Sequence, residues 1–309
     1  MINEGEKIFM YDIKYSIVKM DIRFKDNSKM NINKQSAIRG IIGNTLIDDN
    51  CLMSSDDRKC EDCFFNSRCI SYNVFSPKIK SSSVGEIEEN ISPFIIICDD
   101  KREFIKKGED ITFAMIFFGD TIAFIPTIIR AVKKAGETLG LEGNLFELTK
   151  AANDKGEIIY NNDKFSFERI NIRKINEYIE NRLSISPDIE RIEIISPIRF
   201  KKNKRFHNNL EEEDLINLIK RRLITLAGLE KKEMDFNKEF YFKIKEKSLS
   251  WAEFNRYSNR QKSRMSLGGI IGYIELEEVS EETKKLLIAG ELIHIGKSTS
   301  FGLGDYILY

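Results

Sequence analysis

The stretch Leu210-Glu-Glu-Glu-Asp-Leu-Ile-Asn-Leu-Ile-Lys-Arg-Arg-Leu-Ile-Thr-Leu-Ala227 decides how the second half of the chain folds. Its acids, Glu211 to Asp214, open the run, and its bases, Lys220 to Arg222, come late. That polarity complements a helix dipole and predicts a helix over about 210–227. Leu215, Leu218, Ile219, Leu223 and Leu226 fall on one face of it and predict the buried stripe. Upstream, Ile192 and Ile194 alternate with polar partners and lead into Ser196-Pro-Ile-Arg-Phe200. Pro197 cannot donate to a ladder, so this strand is expected at an edge or with a bulge. Downstream, Phe240, Phe242 and Ile244 alternate as a second strand, with Ile274 and Leu276 in its hairpin partner. Ser280 is placed to cap a further helix whose first turn holds Glu281 and Glu282. That helix is expected to fail at Gly296, and a glycine-rich loop then feeds a last short strand around Tyr306. The order is βαββαβ.

The first half repeats that order without repeating the sequence. Val18, Met20, Ile22 and Phe24 have the period of a half-buried strand, and Ile38, Ile41, Ile42 and Thr45 share one helical face. Strand-like runs at 93–98 and 111–118 flank a turn ending in Lys107-Gly108. A second helix carries Ile125, Ile128, Ile129 and Val132 and stops near Gly136, and 144–151 can close the unit as a fourth strand. The fold class expected is α+β, with tandem ferredoxin-like (RRM-like, βαββαβ) domains and a C-terminal glycine-rich loop. Residues 1–180 form the N-terminal domain, with a four-cysteine insert at 51–69 and a polar linker. Residues 181–309 form the C-terminal domain.

Composition narrows the function classes. Basic and acidic residues balance at 49 each, so the chain does not coat itself in nucleic acid, although a local basic patch remains open. The opening, MINEGEKIFM, carries acids and lacks the apolar core of a secretory leader. The most apolar window, 114–129, holds Asp120 and Pro126 and falls short of the ~20 apolar residues of a membrane span. A cytoplasmic protein with no membrane partner is expected.

Three motifs carry chemistry. Cys51, Cys60, Cys63 and Cys69, spaced C-x8-C-x2-C-x5-C, offer four soft thiolates to one tetrahedral ion. A structural zinc is expected, with an iron–sulfur cluster or plain thiols as the alternatives, whereas a reducing compartment disfavours disulfides. Cys98, in Phe-Ile-Ile-Ile-Cys, reads as core. The C-terminal segment from Gly290 to Gly304 contains Gly-Lys-Ser, but Glu291 occupies the glycine position of a Walker A loop, and too few residues follow Lys297 for the helix and sheet such a loop opens. What remains is backbone N–H beside Lys297, Ser298 and Thr299, suited to phosphate oxygens or to an ordinary turn. The third motif is basic. Arg199, Lys201, Lys202, Lys204 and Arg205 cluster, with His207 just after, and an acid-free stretch carries Arg256, Arg260, Lys262 and Arg264 around Tyr257. Cations beside an aromatic are what single-stranded RNA binding uses, although a charge run is also an ordinary solvated face.

These segments bear a resemblance. Ser196-Pro-Ile-Arg-Phe, Arg256-Tyr-Ser-Asn-Arg-Gln, Leu267-Gly-Gly-Ile-Ile-Gly and His294-Ile-Gly-Lys-Ser-Thr-Ser-Phe-Gly-Leu-Gly-Asp-Tyr306 resemble the C-terminal half of the CRISPR precursor-crRNA processing endoribonucleases of the RAMP superfamily. Arg39-Gly-Ile-Ile-Gly43 and the cysteine insert resemble its N-terminal half. The resemblance implies the tandem ferredoxin-like fold and metal-independent cleavage of CRISPR repeat RNA into crRNA. In that reaction the ribose 2′-OH attacks the adjacent phosphate and leaves a 2′,3′-cyclic phosphate and a 5′-OH. The alternative it allows is a noncatalytic crRNA-binding subunit of a CRISPR effector complex.

Many members of that family carry a histidine in the first N-terminal helix, and 35–49 here contains none. His207 and His294 are the two histidines of the chain. His294, beside the glycine-rich loop, is the expected general base or acid, with Lys297 or Arg256 on the phosphorane and Tyr257 positioning the ribose. His207 is held in reserve. Arg39, Arg199, Lys201, Lys202, Lys204, Arg205, Arg260, Lys262, Arg264, Ser298 and Thr299 are the expected RNA contacts. No cofactor is expected for catalysis.

Overall fold

A computed structural model describes residues 10–53, 60, 62–75, 77, 92–253, 255–258 and 263–309, with the strand path alone for 255–258 and 263–266. The described chain divides into two compact units, one of residues 15–172 and the other of 10–14 with 173–309. The helix Ile175–Ile185, read from sequence as part of a linker, groups with the second unit.

In the first unit the strand Lys14–Phe24 lies between Asp110–Phe118 and Phe146–Asn153, with Phe94–Ile97 outside Asp110–Phe118. All of these pairings are antiparallel. Helices Gln35–Asn50 and Ile125–Thr138 supply the α elements of a βαββαβ unit. Alternation does what it predicts: Val18, Met20, Ile22 and Phe24 point into one core with Ile38, Ile42, Ile125, Ile128 and Ile129. The second unit has the same order, Lys243–Ala252, Gly269–Glu277, Arg191–Ile198 and Tyr306–Leu308 across the sheet. Helices Glu212–Leu229 and Glu281–Ile293 cross over between its strands. Ser280 caps the latter through its side chain, which accepts from the Thr283 N–H at 3.3 Å. The tandem ferredoxin-like fold is therefore present.

One detail departs from the sequence expectations, and two others resolve them. The second strand of this unit starts at Lys243, so Phe240 and Phe242 precede it. It is an edge strand with half-buried rather than buried alternate positions, and alternation marks such a strand poorly. Pro197 sits in a central strand, where the register against Gly269–Glu277 shifts between Ile194 and Ile198. The bulge, not an edge, accommodates its missing N–H. Gly290, in the segment that imitates a Walker loop, is a packing residue. A Cβ there would lie 2.1 Å from the Tyr306 hydroxyl, which donates to the Leu287 carbonyl. At the far edge of the sheet, the Glu291 carboxylate accepts from the Leu308 N–H at 3.0 Å, and Arg182 donates to the Leu308 carbonyl at 2.5 Å. Side chains thus close an edge that another strand could otherwise extend. Among the described residues no helix is long and apolar enough to cross a membrane.

Candidate nucleic-acid interface

Residues 199–207 read Arg-Phe-Lys-Lys-Asn-Lys-Arg-Phe-His, nearly a mirror image about Asn203. They fold as a hairpin pairing Lys201 with Phe206 and Lys202 with Arg205. Its two-residue turn takes φ of 54° at Asn203 and 65° at Lys204, the positive pair that matches strand twist in a tight hairpin. Alternation then sorts the side chains. Arg199, Lys201 and Phe206 share one face, where the Arg199 guanidinium lies 3.7 Å from the Phe206 ring centroid and the Lys201 ammonium 4.9 Å. Phe200, Lys202, Arg205 and His207 share the other. There Lys202 pairs with Asp214 at 2.8 Å, and the Phe200 and His207 rings stand 5.8 Å apart. Lys201, Lys204 and Arg205 are exposed.

The root of this hairpin is tied to the C-terminal loop. The Lys297 N–H donates to the Arg199 carbonyl at 2.7 Å, and the Gly304 N–H donates to Pro197 at 3.1 Å. Gly296, Ser298, Gly302 and Gly304 all take positive φ, so the loop doubles back on itself. A Cβ on Gly304 would lie 1.9 Å from the Ile295 carbonyl oxygen. Lys297 and Ser298 are half-buried, while Thr299 is buried at 2% exposure and is the less accessible of the expected RNA contacts.

His294 departs from its expected role. It caps the helix Glu281–Ile293 with φ 52°, and its ring points inward at 2% exposure. Nδ1 lies 3.3 Å from the Leu303 carbonyl, and Nε2 lies 3.5 Å from the Asp305 carboxylate. Burial pushes its pKa down to about 3, the Leu303 hydrogen bond opposing and the Arg222 cation assisting. Both ring nitrogens face protein acceptors, and the ring offers neither to a phosphate. Spacing along the chain put His294 beside the loop, but the helix end turns it beneath the loop instead.

Residues 192–306 match the family model of the CRISPR-associated endoribonuclease Cas6, and 13–174 match a model for a family of N-terminal domains. Residues 192–306 are a Cas6-type domain. A chain of a partial Cas6-RT-Cas1–Cas2 complex matches at TM-score 0.59 and 14% identity, over 96% of this chain and 46% of that one. The chain thus spans less than half the length of that relative. A Cas6 product complex matches at 0.54 and 12% identity, over 96% of this chain and 100% of the other. Thermus thermophilus Cas6 matches at 0.52 and 11%, over 96% and 99%. At such identities the likeness is one of fold. No curated protein matches the chain.

The other expected residues scatter. Arg39 is half-buried on the helix Gln35–Asn50, 4.9 Å from the Phe75 ring. The start of that helix, where the family resemblance directs the search for a histidine, holds Lys34 and Gln35. Lys34 is fully buried and donates to the Asp100 and Arg102 carbonyls at 2.9 and 2.7 Å. Arg256 and Tyr257 lie on the strand Asn255–Ser258 and Arg264 on its partner Ser263–Ser266, their side chains outside the description. Arg260 and Lys262 lie outside the described residues.

The zinc expectation is not supported. Among the described residues no three or more Cys, His, Asp or Glu side chains converge as metal ligands, and no disulfide joins the cysteines. Helix ends place the outer two. The Cys51 N–H donates to Ile47 at 2.8 Å, and the Cys69 carbonyl accepts from Asn73 at 3.0 Å. Proximity in sequence does not by itself bring four sulfurs within the ~2.3 Å bonds of one zinc ion. Cys98 is core, as expected.

Sequence reasoning missed the hairpin itself and two of its supports, Asp214 and the Asn209 carbonyl, which lies 3.4 Å from His207 Nδ1. The nearly mirrored order about Asn203, at the edge of the Asn203-Lys204 turn, was the available signal.

Proposed function

We propose that this chain is an endoribonuclease that processes CRISPR repeat RNA into crRNA. The observation that carries the reading is the exposed basic hairpin, tied by the Arg199–Lys297 backbone bond to the loop within the Cas6-matching segment. In the proposed reaction the 2′-OH attacks the adjacent phosphorus, the 5′-oxygen departs, and no metal takes part. Such a reaction needs cations for the phosphorane and a proton acceptor for the 2′-OH. Lys201, Lys204, Arg205 and Lys297 supply the cations, and protein partners are expected among CRISPR components.

The test is incubation of the purified chain with repeat RNA in EDTA. A cyclic phosphate on one fragment and a 5′-OH on the other support the reading, and a 2′-deoxy ribose at the cut must block it. RNA bound but left intact would make the chain a noncatalytic RNA-binding subunit.

A second measurement addresses the surface. Replacing Lys201, Lys204 and Arg205 together by Glu is expected to weaken RNA binding on the order of 10²-fold at moderate salt. It should also reduce the slope of log affinity against log salt by about 2, at ~0.7 for each single-strand phosphate no longer neutralised. An unchanged slope would show that the hairpin is an ordinary solvated element.

A further inference from the structure

We propose that His207, rather than His294, is the catalytic imidazole, accepting the proton of the attacking 2′-OH. The inference rests on the endoribonuclease reading above. Four observations carry it. His207 is half-buried, in contrast to the enclosed ring of His294. Its Nδ1 faces the Asn209 carbonyl at 3.4 Å, and a carbonyl can only accept, so that contact holds the proton on Nδ1 and leaves the Nε2 lone pair as the base.

Its backbone is pinned as well. The His207 N–H donates to the Phe200 carbonyl at 3.2 Å, which continues the hairpin ladder past Lys201–Phe206. Phe200 is next in the chain to Arg199, whose carbonyl holds the Lys297 N–H. His207 and the loop therefore flank the same two residues. Finally, strand alternation puts Arg205 on the face of His207, two residues away, or ~7 Å along an extended chain. A scissile phosphate is a few ångströms across and fits that interval with its oxygens towards the guanidinium.

The step balances without an added reagent. The 2′-oxygen forms a bond to phosphorus as its proton passes to Nε2, and the bond from phosphorus to the 5′-oxygen breaks. Water protonates the departing 5′-oxygen, and the imidazolium returns its proton to solvent. Nothing is oxidised or reduced, and no net proton is gained or lost.

Single-turnover cleavage of repeat RNA at saturating protein tests the assignment, with RNA affinity measured alongside. His207→Ala is expected to slow cleavage by ~10²–10⁴-fold while affinity stays within a few-fold, and added imidazole should restore part of the rate. His207→Gln, which keeps a polar side chain of similar length, should be as slow and should gain nothing from imidazole. Trp251, the one tryptophan of the chain, lies in the same unit, and its fluorescence verifies that each variant is folded. If the wild type cleaves and a folded His207→Ala keeps its rate, the assignment is wrong and the endoribonuclease reading stands. A rate loss matched by weakened affinity, without rescue, would also overturn it by making His207 a binding residue. If the wild type itself does not cleave, the functional reading fails first and the assignment falls with it.

Discussion

Gly304→Ala is expected to unfold the C-terminal loop and to lower the stability of its unit by about 3–5 kcal/mol, combining overpacking with a left-handed backbone. Two constraints meet at this residue. Its φ of 80° penalises any L side chain, and the added Cβ would lie 1.9 Å from the Ile295 oxygen. That oxygen belongs to backbone, so no rotamer change relieves the overlap. The same two residues are joined by the bond from the Ile295 N–H to the Gly304 carbonyl at 3.0 Å, and moving one strand of the loop breaks it. Gly304 also donates to Pro197, so the disturbance reaches the hairpin root. The readout is the urea midpoint followed by Trp251 fluorescence, which reports this unit. Gly108→Ala, in the other unit and therefore followed by far-UV circular dichroism, separates the two causes, because Gly108 shares the positive φ, 82°, with no atom beyond its chain neighbours within 4 Å of its added Cβ. That variant should cost only about 1 kcal/mol, the left-handed penalty alone. Equal losses in the two variants would remove the backbone contact as the cause.

The fold was legible wherever a local period and a buried face coincide. Val18 to Phe24, the stripe from Leu215 to Leu226 and the cap at Ser280 each state their partner face in their own spacing. The strand at Lys243–Ala252 was misplaced because an edge strand buries little, and aromatic residues just before it imitated its period. The site was harder. Which way a side chain points at the end of a helix depends on one dihedral, and His294 at φ 52° turns inward although its neighbours in sequence line the loop. The hairpin at 201–206 hid inside a charge run, because Lys and Arg mask the alternation that apolar residues would have displayed. Lys34 shows the converse error. A lysine reads as surface, yet carbonyls at 2.7 and 2.9 Å satisfy its ammonium in full burial, an arrangement only the tertiary fold can create.

His294 should make the stability of its unit fall as the pH drops below 6.5. Its folded pKa is about 3 against 6.5 for the free side chain, so between those values the unfolded chain binds a proton that the folded chain refuses. A group depressed in this way gives its full contribution above 6.5 and loses it towards 3, at about 1.4 kcal/mol per pH unit. At pH 5 the expected loss is roughly 2 kcal/mol relative to pH 7.5. Two carboxyls of the same unit act in the same direction, but only as the pH falls through their ordinary 4.5, below the pH 7.5 to 5 comparison. Lys243 holds Glu278 below the ordinary 4.5, and at Glu282 burial raises the pKa but Lys238 and Lys285 outweigh it. The measurement is the urea midpoint by Trp251 fluorescence at pH 7.5 and 5.0, for the wild type and for His294→Gln. The variant should be weaker at pH 7.5, since the Leu303 carbonyl is deprived of its ring donor, and should then fall by about 2 kcal/mol less on acidification. Parallel falls in the two proteins would mean that His294 is protonated in the fold, and the ring would again be a candidate for proton transfer. The predicted divergence instead makes His294 a neutral strut under the loop. A neutral ring can donate one hydrogen bond, its Nδ1–H to Leu303, so protonation would set the whole cost of a buried cation beside Arg222 against a single added bond to Asp305.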